Sequence, residues 1–411
     1  MPKAAFPEIS MVVFVSQQIE SLFPLSVNRP PALFLVAGKK ILEWMYETGK
    51  KFGAKRIFLL ANKKDIRILY NQLEKYMETS APQYEIGPFT ILEYDEQKGI
   101  SEELSKIIIE SSVLEHSIWL DGNVVFSEKF YKSFLEKGFA SGKIALTKDD
   151  KALGIGFFDK QYLGQSLTNA KCVDDIFSKI RETVRSKTSS IEFKESKTEF
   201  LQINYLWNLL NANEHLIKTI KSSSKGTIED GVTILGEVII GKGSRIRSGS
   251  YLEGPLVVGE NCDIGPNCYL RKGVSLGKEV RIGNACELKN TIVFDRTHIA
   301  HLSYVGDSVI GENCNFGAGS ITGNLRLDDQ TVKSEIKSKV HLTGRRKIGV
   351  IMGDNVKTAI NTFFMPGVIV GNNSAIGTGV IVHRNIDSDV FVYIDQKQLS
   401  REWEVKSKKK K

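Results

Sequence analysis

No apolar run in this sequence reaches the roughly 20 residues needed to cross a bilayer. The stretch MVVFV at 11–15 is too short, and too little basic charge precedes it, for a signal peptide. A cytoplasmic chain with no membrane partner is therefore the expectation. Cysteine is sparse, five in 411 residues, and no two form a CxxC pair. That argues against a disulfide framework or a zinc knuckle. His298, His301 and His341 lack the spacing of a three-histidine metal site. Aromatics are missing from the lysine tail KSKKKK at 406–411, which reads as a solvated end rather than a specific nucleic-acid segment.

What is present is ordinary globular composition, 41% hydrophobic and 25% charged, in a chain too long for one core. Part of the net charge of +8 comes from that lysine tail, and the remaining basic excess suits anionic small-molecule substrates. Residues 1–197 alternate strand-like runs (Met11–Val15, Arg56–Ala61, Phe89–Leu92, Ser117–Leu120, Ile144–Thr147, Leu153–Phe158) with amphipathic stretches (Ile41–Phe52, Asp65–Tyr76, Ser101–Ser112, Glu128–Gly138). The alternation predicts a Rossmann-like α/β domain with a mostly parallel sheet and sites at the strands' carboxyl ends. Residues 198–226 read as a joining helix, with apolar positions at helical spacing to 221, and a polar linker at 222–226. Residues 389–411 read as a basic tail.

Between them, 227–388 carries a six-residue period. Aliphatic residues recur at Ile234, Ile240, Ile246, Leu252, Val258, Ile264, Leu270, Leu276, Ile282 and Leu288, the expected run closing on Phe294. It resumes as Met352, Thr358, Phe364, Val370, Ile376 and Val382. That is a hexapeptide β-helix, in which each coil buries one aliphatic side chain per hexad on its neighbours. Four cysteines fall in the repeat, at its small-residue position, and read as packing residues. Residues 325–347 interrupt the period. A hairpin of Val332–Ile336 with Lys339–Leu342 is expected there, on a loop able to reach a neighbouring subunit.

Residues 299–324, IAHLSYVGDSVIGENCNFGAGSITGN, hold polar residues that a packed coil does not need. They suit amide formation: a base, hydrogen-bond donors, and a Gly/Ala wall along which a long co-substrate approaches the backbone. Histidine titrates near neutrality, as a base acting on an amine requires. Arg271 and Lys289 lie eighteen residues apart, three hexads, and so recur at one coil position.

Two resemblances extend this reading. The first βα connection, residues 14–44, resembles the opening of the sugar-phosphate nucleotidyltransferases, in frame at Leu22, Pro24, Leu25, Arg29, Pro30, Gly38, Lys39 and Leu42–Trp44. The chemical positions depart from that pattern. Gln17 and Ile19 replace loop glycines, Ser21 replaces the catalytic arginine, and Pro31 replaces a lysine. Asp121 matches a metal-binding aspartate, a vestige, while Gln202 stands where the second should fall. One carboxylate is a poor magnesium site. The resemblance implies a nucleotidyltransferase-like domain that has lost its activity. The segments LRKG at 270–273, GNACELKN at 283–290, AHLSYVGD at 300–307 and NFGAGSITGN at 315–324 closely resemble the acetyltransferase half of the archaeal-type bifunctional sugar-1-phosphate nucleotidylyltransferase/glucosamine-1-phosphate N-acetyltransferase family.

That second resemblance implies left-handed coils, a homotrimer through the β-helix, and acetyl-CoA as co-substrate. It makes His301 the general base and gives Asn324 the orientation of amine and thioester. Arg271, Lys289, Tyr304 and Asn315 would hold the sugar phosphate. Lys333, Arg345, Arg346 and Lys347 are further phosphate contacts to look for. Ala318, Ala359 and Thr378 would line the coenzyme A arm. The expected function is acetyl-CoA-dependent N-acetylation of glucosamine-1-phosphate or a similar amino-sugar phosphate, feeding UDP-N-acetylglucosamine synthesis. Alternatives are a bifunctional enzyme that retains nucleotidylyl transfer, and a non-catalytic sugar-nucleotide sensor or scaffold.

Overall fold

A computed structural model of the chain describes residues 6–15, 19–73, 85–86, 89–93, 115–148, 151–162, 190–192 and 199–403. The N-terminal sheet is built on β1 (Ile9–Phe14), whose sequence ISMVVF is buried throughout. A continuous apolar run suits a central strand covered on both faces. It pairs in parallel with β2 (Ala54–Ala61), which pairs with β3 (Phe89–Glu93), and on its other side with β4 (His116–Asp121). Past β4 come β6 (Lys151–Asp159) and β5 (Lys143–Lys148), each antiparallel to its inner neighbour. The sheet is thus parallel at its centre and mixed at its edges. Helices α1 (Ile41–Lys51), α2 (Lys63–Leu73) and α3 (Glu128–Ser141) accompany it. Ser127 caps α3, accepting the Phe130 N–H at 3.0 Å. The expected helix at Ser101–Ser112 and Cys172 lie outside the described residues.

The joining helix is shorter than its apolar spacing suggests. Residues Phe200–Gln202 form a strand against Val124–Phe126. The helix α4 is confined to Asn208–Leu216, with a 3₁₀ turn at Ile217–Thr219. Strand pairing satisfies the backbone at its start, and local helical periodicity yields to that tertiary contact.

The β-helix has three parallel faces of 8, 9 and 8 short strands. Face 1 starts at Ser223–Ser224, face 2 at Thr227–Ile228 and face 3 at Thr233–Leu235. The first strand therefore falls within the stretch read as a linker. The last, Phe391–Val392, pairs with Ala375–Ile376 beyond residue 388. Inward columns run Ile246, Ile264, Ile282, Ile299, Phe316 on face 2 and Leu252, Leu270, Leu288, Val305 on face 3, all 2% exposed or less.

The six-residue period does slip. Leu270 pairs with Leu288, but Leu276 pairs with Val293 and Ile282 with Ile299. Each coil from there to the 325–347 interruption takes one five-residue step, so seventeen residues replace eighteen. The inward residue is Val293, not Phe294. Phe294 points outward onto the N-terminal domain, edge-on to Phe34 with ring centroids 6.4 Å apart. The one-residue shortening at a corner is what turns that ring into an interdomain contact.

The two domains share polar as well as apolar contacts. Arg29 pairs with Asp354 at 2.6 Å and Glu312 at 2.9 Å, its guanidinium 5.1 Å from the centre of the Phe294 ring. The fully buried Asn213 of α4 accepts the Ala37 N–H at 2.8 Å and donates to the Gly273 carbonyl at 2.8 Å. The expected hairpin forms, as Lys333–Ile336 with Lys339–Leu342. It folds back on its own chain: Lys337 pairs with Glu20 at 2.8 Å, and Ser334 donates to the Gly367 carbonyl at 2.9 Å. These contacts are intramolecular.

Candidate active site

The chain turns from face 2 to face 3 at one corner per coil. Asn284, His301, Ala318, Ile360 and Thr378 occupy equivalent corner positions. The carbonyls of the first four accept N–H groups from Leu302, Gly319, Asn361 and Gly379 of the next coil. Those four donors take φ of 49–74°, as does Ala285, so each coil turns here through the left-handed region. His301 is exposed at this edge, with Ala318 directly above it and Thr378 further along. Ala359 stacks on Gly317, where a Cβ would meet the Ala359 carbonyl carbon at 2.3 Å. The result is a wall beside an imidazole in which Ala318, Ala359 and Thr378 are small and the exposed Ile360 is large. Asn315 is exposed on face 2, paired with His298 below and Lys357 above.

Face 3 and its far corner hold the rest. Arg271 and Lys289 sit at one position of successive coils, as their spacing requires. Arg271 donates to Glu287 Oε1 at 2.9 Å and lies 5.4 Å from the Tyr269 ring centre. At the corner leaving face 3, Asn290, Asp307 and Asn324 stack at intervals of seventeen residues. Asp307 is 3% exposed and accepts from both neighbours: Asn290 Nδ2 at 2.8 Å and Asn324 Nδ2 at 2.6 Å. Lys289 Nζ is 3.7 Å from the same carboxylate. Asn324 Nδ2 also reaches Tyr304 Oη at 3.1 Å. Burial, reinforced by the nearby Asp307 charge, raises the Tyr304 pKa, so the hydroxyl keeps its proton. Gly306 underlies this cluster. A Cβ there would lie 2.4 Å from Tyr304 Oη and 2.8 Å from Asn324 Nδ2, so no larger residue fits.

Lys347 comes to the same place. The facing Lys289 ammonium, with some desolvation, holds its pKa below the ordinary lysine value. Two ammonium groups held together beside one carboxylate make a seat for an anion. Lys333 does not join them. It is exposed on the hairpin, paired across it with Leu342. Arg345 is engaged elsewhere, ion-paired with Glu214 and hydrogen-bonded to Asn211 on α4. Arg346 pairs with Asp329 at 2.8 Å. Among the described residues, no hydrogen bond joins the side chains of His301 or Asn315 to the Asp307 cluster.

Burial makes the repeat's cysteines poor nucleophiles. It pushes Cys262 to about 11, and Cys268 and Cys314 to about 12. Each Sγ–H points at a carbonyl of the next coil, as Cys268 does at Gly283, 2.8 Å away.

Comparison with known proteins gives this geometry a family. The family model for the GMPPB C-terminal domain matches residues 252–365. A bifunctional protein GlmU of Methanocaldococcus jannaschii is 34% identical, over 93% of this chain and 97% of its own. A bifunctional sugar-1-phosphate nucleotidylyltransferase/acetyltransferase of Sulfurisphaera tokodaii is 30% identical, over 90% and 96%. The chain belongs to the GlmU family. The Methanococcus maripaludis GlmU of strain C7, also 34% identical, covers 90% of this chain and 94% of its own length. The expected architecture is therefore the observed one: a nucleotidyltransferase-like α/β domain followed by a left-handed β-helix.

Within this GlmU-family chain the first domain carries its frame residues as structure. Arg29 is tied to the β-helix, and Lys39 pairs with Glu47 at 2.6 Å beneath Trp44. The Pro24 carbonyl accepts from Asn372 at 2.9 Å. Ser21 donates its hydroxyl to the Asn204 carbonyl. Asp121 ends β4, opposite Phe14, while Gln202 sits in a strand facing Val124. Gln17 lies outside the described residues.

Two site residues had only a faint signal in the sequence. Asp307 stood in the segment AHLSYVGD without a role of its own, and Lys347 was one of seven lysines and arginines in the interrupting loop. The seventeen-residue interval from Asn290 to Asp307 to Asn324 is the signal that would have found the first.

Proposed function

We propose that the protein is an acetyl-CoA-dependent N-acetyltransferase acting on glucosamine-1-phosphate or a close amino-sugar phosphate, in UDP-N-acetylglucosamine synthesis. The observation that carries this is the pairing of Lys289 with Lys347 beside Arg271, Asn324 and Tyr304; Tyr304 follows the exposed His301 by three residues. The cations take the sugar phosphate, and the tyrosine and asparagine take the sugar and its amine. The small-residue edge through Ala318, Ala359 and Thr378 takes the pantetheine arm.

Acetyl transfer is then direct. The neutral amine nitrogen attacks the thioester carbonyl carbon. As the C–N bond forms, His301 accepts a proton from nitrogen. The C–S bond breaks, and the coenzyme leaves as thiolate to be protonated. The buried thiols supply no acyl-enzyme nucleophile. His301 and the Asp307 cluster lie at opposite corners of face 3, a surface that exposes Leu302, Ile321, Phe363 and Ile381. A second copy of the chain would cover that surface and close the site, and a homotrimer is the arrangement we propose. Lys333 would then serve an adjacent subunit.

We read the N-terminal half as having lost nucleotidylyl transfer, with Ser21 and Arg29 engaged within the chain and Gln202 at the second metal position. Uridylylation would fall to another protein. The test is one preparation in two assays. With acetyl-CoA and a panel of amino-sugar phosphates, thiol should be released with glucosamine-1-phosphate among the best acceptors. With UTP, magnesium and N-acetylglucosamine-1-phosphate, pyrophosphate should stay at background. Turnover in the second assay that Asp121→Ala abolishes would overturn the loss of the first domain's chemistry.

A further inference from the structure

A carboxylate that is 3% exposed costs several kcal/mol unless it is fully partnered. Asp307 has its partners, and all lead somewhere. Oδ2 accepts from Asn324 and faces the Lys289 ammonium, while Oδ1 accepts from Asn290. Both lysine and amides are donors here, and the carboxylate is acceptor only. That fixes which way the Asn324 amide is turned. Its NH₂ must face Asp307, and the same nitrogen reaches Tyr304 Oη. Its Oδ1 is thereby turned away from Asp307, available to accept a hydrogen from a substrate amine. With Asn324 donating to the tyrosine oxygen, the Tyr304 O–H is free to donate outward.

The chain of bonds does not stop at the coil. Asn290 Nδ2 has two hydrogens. One goes to Asp307 and the other to Glu214 Oε1 on α4, at 2.7 Å. Glu214 is held in turn by Arg345, and burial notwithstanding, that ion pair keeps its carboxyl below the ordinary value. The joining helix thus reaches the acetyl-transfer cluster through a single amide.

We infer that Asp307 is a positioning residue that sets the Asn324 amide and the Lys289 ammonium, and that α4 braces Asp307 through Asn290 and Glu214. This rests on the acetyltransferase reading above. A domain without its own chemistry would then serve the chemistry of the other by holding this brace.

The experiment is a pair of double-mutant cycles on the full-length protein, read by thiol release with acetyl-CoA and glucosamine-1-phosphate. Asp307→Asn keeps the shape but removes the charge that dictates the amide's direction. It should lower kcat about 10- to 100-fold, the scale of a lost charge-assisted hydrogen bond. KM should rise less, since Arg271 and Lys347 still hold the phosphate. Asn324→Ala alone should cost a similar factor. In the Asp307→Asn background it should cost almost nothing more, because the two act as one unit. Glu214→Gln should lower kcat about threefold to tenfold, again less than multiplicatively with Asn324→Ala. Effects that multiply in both cycles, or a wild-type kcat in Asp307→Asn, would overturn the inference while leaving the acetyltransferase reading intact. If Asp307→Asn does not fold, the Glu214 cycle alone decides between the two outcomes. A wild-type protein that releases no thiol with any amino-sugar phosphate overturns the function and this inference together.

Discussion

The two domains use charged residues in opposite ways. In the N-terminal domain, Arg29 and Lys39 lie on the frame of a nucleotide-binding connection, yet each has its counter-ion within the chain. In the β-helix, Lys289 and Lys347 face each other, share one carboxylate, and repel. A cation that has its anion is engaged and holds structure together. Cations held side by side with too little negative charge await a ligand. The same contrast separates Ser21, donating to a backbone carbonyl, from His301, exposed at a coil corner. Position in a family frame gives a residue an address, and its partners tell whether it is available for chemistry.

The sharpest way to break that contrast is to remove the available base. His301→Ala leaves the inward column of Ile282, Ile299 and Phe316 untouched. General-base catalysis contributes about 10²- to 10⁴-fold. The expected result is a kcat lower by that range with sugar-phosphate affinity little changed. Wild-type acetylation from pH 6 to 9 by this variant would reduce His301 to a corner residue.

Next is the engaged cation. Arg29→Met takes the counter-ion from the Asp354 carboxylate, which is 3% exposed at the domain junction and keeps the Asn28 amide and the Glu312 N–H as donors. Breaking one half of a buried pair costs about 3 kcal/mol. Unfolding free energy from urea titration should fall by that amount, moving the midpoint down by that figure divided by the m-value, while folded protein acetylates at the wild-type rate. A variant of unchanged stability would mean the junction does not depend on the pair.

Arg271 lies between these two cases, half-exposed and already paired with Glu287. Substitution by alanine should raise KM for the sugar phosphate about tenfold and leave kcat nearly alone. A phosphate contact remote from the reacting amine gives uniform binding. A fall in kcat with constant KM would place Arg271 in the reacting geometry instead.

Much of this architecture was legible in the sequence, for a physical reason. A stacked coil repeats one burial environment every few residues, so Ile246, Ile264 and Ile282 announce each other. The five-residue steps were not legible. Ile292, Val293 and Phe294 are three consecutive apolar residues, all buried, but Val293 alone faces the coil interior. Periodicity cannot separate burial inside a coil from burial under a neighbouring domain. The same slip hid the Asp307 column, because a reader counting in eighteens pairs Lys289 with Asp307 and never sets Asn290 beside it. In the N-terminal domain the loss of loop glycines could be read directly. That Arg29 serves as a clamp could not, since its partners lie more than 280 residues away.

The smallest expected effect tests the available cations by pH. Lys347 has its pKa lowered chiefly by the Lys289 charge, and it is largely solvated. A lysine whose folded pKa lies below its unfolded value binds fewer protons when folded, so stability rises with pH between the two values. Ligand binding runs the other way. A bound phosphate neutralises the repulsion and raises the lysine's pKa, so protons are taken up on binding within that same window. Sugar-phosphate KM should therefore climb as pH rises through the lowered Lys347 value, by less than tenfold because one cation of three is lost. Lys347→Met should start from a higher KM and lose that limb of the profile. Lys333→Met should keep it, since Lys333 stands on the hairpin away from this pair. If Lys333→Met removes the limb and Lys347→Met does not, the phosphate seat belongs to the hairpin, and the paired ammonium groups on the coil are a strained surface rather than a binding site.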